Sequence, residues 1–197
     1  NTLVLFTSDN GFASYVGAKD LEARGHFPSG PLRGYKTDVY EGGHRVAFMV
    51  RWPGVTQPGA VCGQLVHQAD LLATVAEILG AELPDNAGED SFSLVSLLKG
   101  ADDPIRPHAV SCASRGIPGL RTGSWKLVLA PDPDAGTDVQ LYNLAEDLGE
   151  TTNLAAEQPE RVAQMKALME KIITDGRSRP GSPQKNDVEV VRFPASR

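Results

Sequence analysis

The chain has 197 residues, 41% hydrophobic and 22% charged, and its 19 Lys and Arg against 25 Asp and Glu give a formal charge of −6. That composition suits one packed domain, or one and a half, and excludes an extended disordered chain. The acidic balance speaks against a nucleic-acid surface, which needs a basic stripe to displace phosphate counterions, and no apolar run approaches the roughly 20 residues of a membrane span. Residues 2–7 form a continuous β-rich apolar run, the pattern of a strand covered on both faces in a parallel sheet. Such a strand needs neighbours on both sides, and few later segments resemble it. We therefore expect a piece of a longer protein; the competing reading is a mature domain whose first strand is an edge.

Ser8-Asp9-Asn10-Gly11 is a turn signal. Residues 12–45 are rich in Gly, Pro and charge without sustained periodicity, a long loop of the kind that often carries function. A second buried strand is predicted over 46–52, stopped by Pro53-Gly54. The spacing predicts an amphipathic helix over 68–79, with Leu71, Leu72, Val75, Ile78 and Leu79 as its core face and Gly80 as its C-terminal cap. A shorter helix is expected over 94–98. The Pro and Asp cluster at 102–107 marks a boundary, so the domains are read as 1–105 and 106–197. In the second part, strands are expected at 119–121, 125–129 and 139–142, the first two joined as a hairpin through Thr122-Gly123-Ser124. Pro159 opens a long helix with Val162, Met165, Leu168, Met169, Ile172 and Ile173 at helical spacing, closed by Gly176. Beyond it only residues 188–193 are apolar enough to dock. Cys62 and Cys112 allow at most one disulfide and lack zinc-site spacing.

The candidate chemistry lies early. Asp9 and Asn10 directly follow a buried strand, where α/β folds place their active sites, and a carboxylate with an amide carbonyl makes a hard-oxygen pair suited to Ca²⁺ or Mg²⁺. Asp-Asn-Gly serves equally as an ordinary turn. Lys36 is a compact cation in a Gly-rich loop, apt for an anionic oxygen. Gly42-Gly43 permits either close backbone approach or positive φ. Arg45 can pair with Glu41 to organise the loop. His44 lies in the same stretch, with a structural hydrogen bond as its competing role, and His67 is read as packing or capping. Tyr40, Tyr142, Trp52 and Trp125 are assigned to packing.

The set T-S-D-N-G at 7–11, R-G-Y-K-T-D-V-Y-E-G-G-H-R at 33–45 and R-W-P-G at 51–54 resembles the sulfatase family of the alkaline phosphatase superfamily. The likeness continues through H-Q-A-D-L-L-A-T-V-A-E-I-L-G at 67–80, G-S-W-K-L-V-L at 123–129 and Q-L-Y-N-L-A-E-D-L-G-E-T-T-N-L at 140–154, and looks closest to the arylsulfatase A-like branch. The resemblance implies an α/β fold, the C-terminal part of the sulfatase fold, with a small antiparallel β subdomain packed by one long helix. It implies hydrolysis of sulfate esters by a formylglycine nucleophile beside Ca²⁺. Asp9 and Asn10 match the family's later pair of metal ligands. Lys36 matches the lysine that contacts the sulfate and the leaving oxygen, and His44 lies in the substrate-binding stretch. Ala47 stands where the family often has Pro.

The formylglycine sequence of the family, C/S-x-P-x-R, is absent from its expected place ahead of Asp9-Asn10: the only such spacing is Ser29-Gly30-Pro31-Leu32-Arg33, which follows that pair, and Cys112-Ala113-Ser114-Arg115 lacks the proline and is one residue short. The family's early Asp-Asp pair is absent too. The resemblance therefore implies an N-terminal sulfatase part as partner, without which the chain is inactive. Two alternatives stay open. One is a stand-alone fragment acting as a binding or oligomerisation module, pairing with a second copy through the opening strand. The other is a phosphonate or phosphodiester hydrolase of the same superfamily. The sulfate ester itself and the compartment are left open, although many sulfatases are periplasmic or extracellular.

Overall fold

The computed structural model describes residues 2–191. In chain order the elements are β1 (Val4–Thr7), a 3₁₀ turn (Ser14–Val16), α1 (Ala18–Ala23), α2 (Glu41–His44), β2 (Phe48–Arg51), α3 (Asp70–Leu79), α4 (Val95–Leu98), β3 (Ala109–Cys112), β4 (Pro118–Thr122), β5 (Trp125–Val128), β6 (Gln140–Asn143) and α5 (Pro159–Asp175). The fold is mixed α/β, as expected. No helix among the described residues is long and apolar enough to cross a membrane. Cys62 and Cys112 are both free.

The chain packs as two compact units. One comprises the residues up to Phe6, Phe48–Ala109 and Leu168–Val190; the other comprises Thr7–Ala47 and Val110–Ala167. Between Phe6 and Leu168 the chain thus crosses between units four times, once beside the Pro-rich boundary read near residue 105.

In the first unit β1 and β2 form a two-stranded sheet. The expectation of a strand covered on both faces is corrected for the described chain: Val4 and Phe6 of β1 and Met49 of β2 are half exposed or more. The helix over 70–79 forms where its periodicity places it. Gly80 closes it at φ 66°, a left-handed cap that lets its N–H reach the carbonyls of Ala76 and Glu77. Its packing face differs from the expected one. Asp70, Thr74 and Ala76 are buried, whereas Leu72, Val75, Ile78 and Leu79 face solvent.

Side-chain hydrogen bonds explain the buried polar face. The Asp70 carboxylate accepts the His67 N–H (2.7 Å), the Phe92 N–H (3.0 Å) and the Arg106 guanidinium (2.7 Å). Arg106 lies over the Phe92 ring at 4.8 Å. Thr74 Oγ1 donates to the Asp70 carbonyl and accepts the Leu94 N–H (2.9 Å). His67 Nδ1 accepts the Ala69 N–H (3.1 Å) just ahead of the helix. Arg177, after α5, is buried and paired with Asp85 at 2.9 Å. Removing one member of the buried Asp70–Arg106 pair would leave a charge uncompensated, a loss of about 3–5 kcal/mol.

The second unit is built on the sheet β3–β4–β5–β6. The predicted hairpin forms with Thr122 opposite Trp125, and β6 pairs antiparallel on the far side of β5. Two rows of side chains follow from this register. Leu120, Leu127 and Leu141 stand side by side on one face, all fully buried. Arg121, Lys126 and Tyr142 stand together on the other face, because strand residues alternate sides. On that second face Val128 and Tyr142 join Val39 and Leu144 in a hydrophobic cluster. Gly119 is needed there: a Cβ would lie 2.8 Å from Val39 Cγ2.

Pro159 does open α5, whose Met165 and Met169 are buried, and Arg161 stacks on Trp125 at 4.2 Å. The sequence reading omits β3 and the helical turns within 12–45, which are too short to show a period. Val188 and Val191 are exposed rather than docked; the rest of the expected apolar tail, 192 and 193, lies outside the described residues.

His108 is buried beside Arg106, with Asp90 nearby. Burial, then the Arg106 charge, holds its pKa below the ordinary value near 6.5, against the pull of Asp90 and a hydrogen bond involving the Ser178 backbone. The stability that neutral His108 provides is complete above that ordinary value and is lost as pH falls from it toward the folded-state pKa. Urea unfolding is therefore expected to show a lower midpoint at pH 5.5 than at pH 7.5, and His108→Gln is expected to shrink that difference.

Candidate functional site

The four residues singled out by the sequence, Asp9, Asn10, Lys36 and His44, all belong to the second unit. β1 ends at Thr7 and the chain turns, with Ser8 Oγ donating to the Asn10 carbonyl (2.8 Å). Asn10 Nδ2 donates to Asp9 Oδ1 (3.1 Å), so the two side chains lie together at the strand's end. Asp9 is exposed and Asn10 half-buried.

Backbone hydrogen bonds join this turn to the Gly-rich loop. The Lys36 N–H donates to the Phe12 carbonyl (2.9 Å), and the Gly11 N–H donates to the Gly43 carbonyl (2.9 Å). The Gly42 N–H donates to the Arg33 carbonyl (2.7 Å). Lys36 is half-buried, and its ammonium forms no hydrogen bond or ion pair among the described residues. A carboxylate, an amide and an available ammonium thus rise from adjacent turns, a combination suited to a divalent cation and an anion together.

The geometry decides between the two roles open to Gly42 and Gly43. Neither has a positive φ. A Cβ at Gly11 would overlap the Gly42 carbonyl, one at Gly42 the Gly34 carbonyl, and one at Gly43 the Asp38 carbonyl. Close approach of backbones requires these glycines. Thr37, beside Lys36, adopts φ 84°. A β-branched residue there is strained by about 1–3 kcal/mol, and such strain clusters at functional sites. Thr37 is held by its carbonyl, which accepts the Ser114 N–H (3.0 Å), and the turn around it is closed by Asp38 Oδ2 accepting the Tyr35 N–H (2.9 Å). Burial raises the Asp38 pKa, with Arg33 opposing. Tyr35 also hydrogen-bonds to Glu22.

His44 meets other groups of its own chain. Its Nε2 lies 3.0 Å from the Val39 carbonyl, 3.2 Å from Lys126 Nζ and 3.9 Å from Glu41 Oε1. These belong to a buried charge cluster that the sequence reading missed. Lys126 Nζ sits 3.0 Å from Glu41 Oε1 and 2.8 Å from Glu150 Oε1, with all three side chains at most 2% exposed. Glu150 Oε2 accepts the Glu41 N–H (2.7 Å). Arg45 and Arg121 approach the other Glu41 oxygen at 3.4 and 3.5 Å, so the expected Arg45–Glu41 pair forms.

Burial opposes ionisation of Glu41, but Lys126, His44 and Arg121 outweigh it and hold its pKa below the usual carboxylate value. Burial raises the Glu150 pKa, against Lys126 and with the help of the Glu41 charge. Tyr40 and Tyr142 do more than pack: both hydroxyls donate to Gln140 Oε1, at 2.9 and 2.7 Å. Burial pushes the Tyr142 pKa up to about 12.

Comparison with known proteins finds sulfatases among the relatives of this chain. The sulfatase family profile matches residues 1–81, the part that holds Asp9, Asn10, Lys36 and His44. An N-acetylgalactosamine-6-O-sulfatase of Bacteroides thetaiotaomicron is 34% identical over 188 residues, 88% of this chain and 37% of its own length. Human arylsulfatase A is 33% identical over 194 residues, 85% of this chain and 37% of its own length. A solved structure from a Bacteroides thetaiotaomicron locus for glycosaminoglycan metabolism superposes with a TM-score of 0.76 at 33% identity, covering 87% of this chain and 38% of that one. The chain belongs to the sulfatase family and has its alkaline phosphatase-like fold. It spans little more than a third of the length of these relatives.

The glycine contacts make a prediction. Gly42→Ala is expected to destabilise the chain by about 1–3 kcal/mol, since backbone must shift to admit the methyl group. Gly63→Ala, where a Cβ meets nothing within 4 Å, is expected to stay within about 0.5 kcal/mol of the parent in the same urea titration.

Proposed function

We propose that this chain supplies the metal-binding pair and the substrate-contacting lysine of a sulfate ester hydrolase whose nucleophile lies in an N-terminal part. The observation that carries the reading is the pair of backbone bonds, Lys36 to Phe12 and Gly11 to Gly43, which draws Lys36's turn against the Asp9–Asn10 turn. The shared chemistry of the relatives' names, hydrolysis of a sulfate ester, is the substrate class we adopt.

The donor set fits Ca²⁺. Asp9 and Asn10 offer hard oxygens, while Ca²⁺ takes six to eight. No cluster of three or more His, Cys, Asp or Glu suited to a metal occurs among the described residues, so the remaining ligands are assigned to the N-terminal part. The cation, when bound, supplies Lewis-acid stabilisation of sulfate oxygens. Lys36 orients the sulfate group and offsets charge developing on the departing oxygen. His44, tied to Val39 and Lys126, borders the substrate region rather than acting on the proton in flight. Formylglycine is assigned to the N-terminal part.

That partner also accounts for the exposed apolar side chains. Val4, Phe6, Met49, Leu72, Val75 and Leu79 are each about half exposed or more, and all lie within the segment matched by the family profile. We assign these residues, together with the domain reading of 1–105 as part of a larger α/β catalytic domain, to contact with the rest of the enzyme. A stand-alone module would instead use them against a second copy, and a stable dimer of the 197-residue chain by light scattering would favour that reading.

The test is made in the whole enzyme. Asp9→Ala is expected to abolish Ca²⁺ binding by calorimetry together with turnover of an aryl sulfate. Lys36→Ala is expected to lower kcat by about 10²–10³-fold with an unchanged unfolding midpoint. Full turnover in either variant overturns the assignment.

A further inference from the structure

We infer that Lys126, acting with Glu150, is a positioning residue for the Asp9–Asn10–Lys36 region, holding the Glu41–His44 turn where that turn fixes both loops. Its consequence for turnover rests on the function proposed above; its geometric content does not.

α2 has four residues, two of them glycine. Such a segment has almost no intrinsic helical stability, because nucleation is unfavourable and glycine adds backbone entropy. It must be held from outside. Glu41 is held twice, its carboxylate by Lys126 at 3.0 Å and its N–H by Glu150 at 2.7 Å. From that anchor, Gly43 receives the Gly11 N–H and Gly42 donates to the Arg33 carbonyl. Arg33 returns to the cluster. It donates to the Glu150 carbonyl (2.7 Å) and to Tyr142 Oη (3.0 Å), and its guanidinium covers the Tyr40 ring at 3.7 Å. The contacts therefore close a circuit through residues 150, 41, 42 and 33, and Lys126 sits at its centre.

Stability alone does not call for this design. An apolar side chain at 126 would complete the sheet face, and replacing buried charges by apolar groups of similar volume is often neutral or stabilising. Two buried carboxylates around one ammonium do something packing cannot: they specify one place for a turn that has no preference of its own. Glu150 is brought there by its own loop. Asp147 Oδ2 accepts the Thr151 and Thr152 N–H groups (2.7 and 2.8 Å), and Glu150 adopts φ 52°.

The experiment compares Lys126→Met, and Lys126→Met combined with Glu150→Gln, with the parent 197-residue chain. The double variant removes the carboxylate charge that the single one strands. Amide hydrogen exchange is read by NMR. The Gly11 and Lys36 amides are expected to exchange at least tenfold faster relative to the amides of the β4–β5 ladder, while that ladder keeps its protection. Unchanged relative rates at Gly11 and Lys36 would overturn the inference. So would a uniform acceleration of all amides, or failure of both variants to fold, since either makes Lys126 a plain stabilising residue. In the whole enzyme the double variant is expected to lose at least tenfold in kcat with KM little changed. A parent enzyme without sulfatase activity would refute the proposed function and leave the exchange result standing.

Discussion

One ammonium between two buried carboxylates organises the second unit. Lys126 reaches its position because strand alternation puts it on the face of β5 opposite Leu127, between Arg121 and Tyr142. There it meets Glu41 and Glu150 with almost no access to water. Burying three ionisable groups is expensive unless each is paired, and the pairing here extends outward. Glu41 is shared with Arg121, Arg45 and His44, and Glu150 also takes a backbone N–H. His44 is thus linked to a structural network.

Around this anchor the loop of residues 33–44 is shaped by close backbone contacts. Gly11, Gly42 and Gly43 each lie where a methyl group would strike a carbonyl. The loop retains one unfavourable conformation, Thr37 at φ 84°, next to the residue whose ammonium the chain leaves available. Strained backbone of this kind clusters at functional sites. The first unit has the opposite character. Its Asp70–Arg106 pair is sealed within the unit, while the apolar residues of β1, β2 and α3 stay open to solvent.

Much of this was legible in the sequence, for physical reasons that differ by element. The helix over 70–79 and the long helix from Pro159 declared themselves by period and by the Gly that ends each. The hairpin declared itself by Thr122-Gly123-Ser124. Which side of α3 is buried was not legible, because its apolar stripe is real but is not what this chain covers. Lys126 escaped notice because a lysine between Trp125 and Leu127 reads as the outward residue of a strand, and its partner Glu41 lies 85 positions away. Glu150 sat inside a quoted family segment without any local sign that it would be buried. Asp9, Asn10 and Lys36 are candidates by chemistry and position, but only the resemblance separates them from an ordinary Asp-Asn-Gly turn and a solvated charged loop. Their common unit and the backbone bonds between their loops are what the structure adds.

We propose that Asp9 and Asn10 share a divalent cation beside the Lys36 ammonium. A crystal structure of the whole enzyme with Ca²⁺ and sulfate tests it most directly. The cation is expected to bond side-chain oxygens of both Asp9 and Asn10, with a sulfate oxygen accepting a hydrogen bond from Lys36 Nζ. A cation bound elsewhere, or a sulfate out of reach of Lys36, would contradict it.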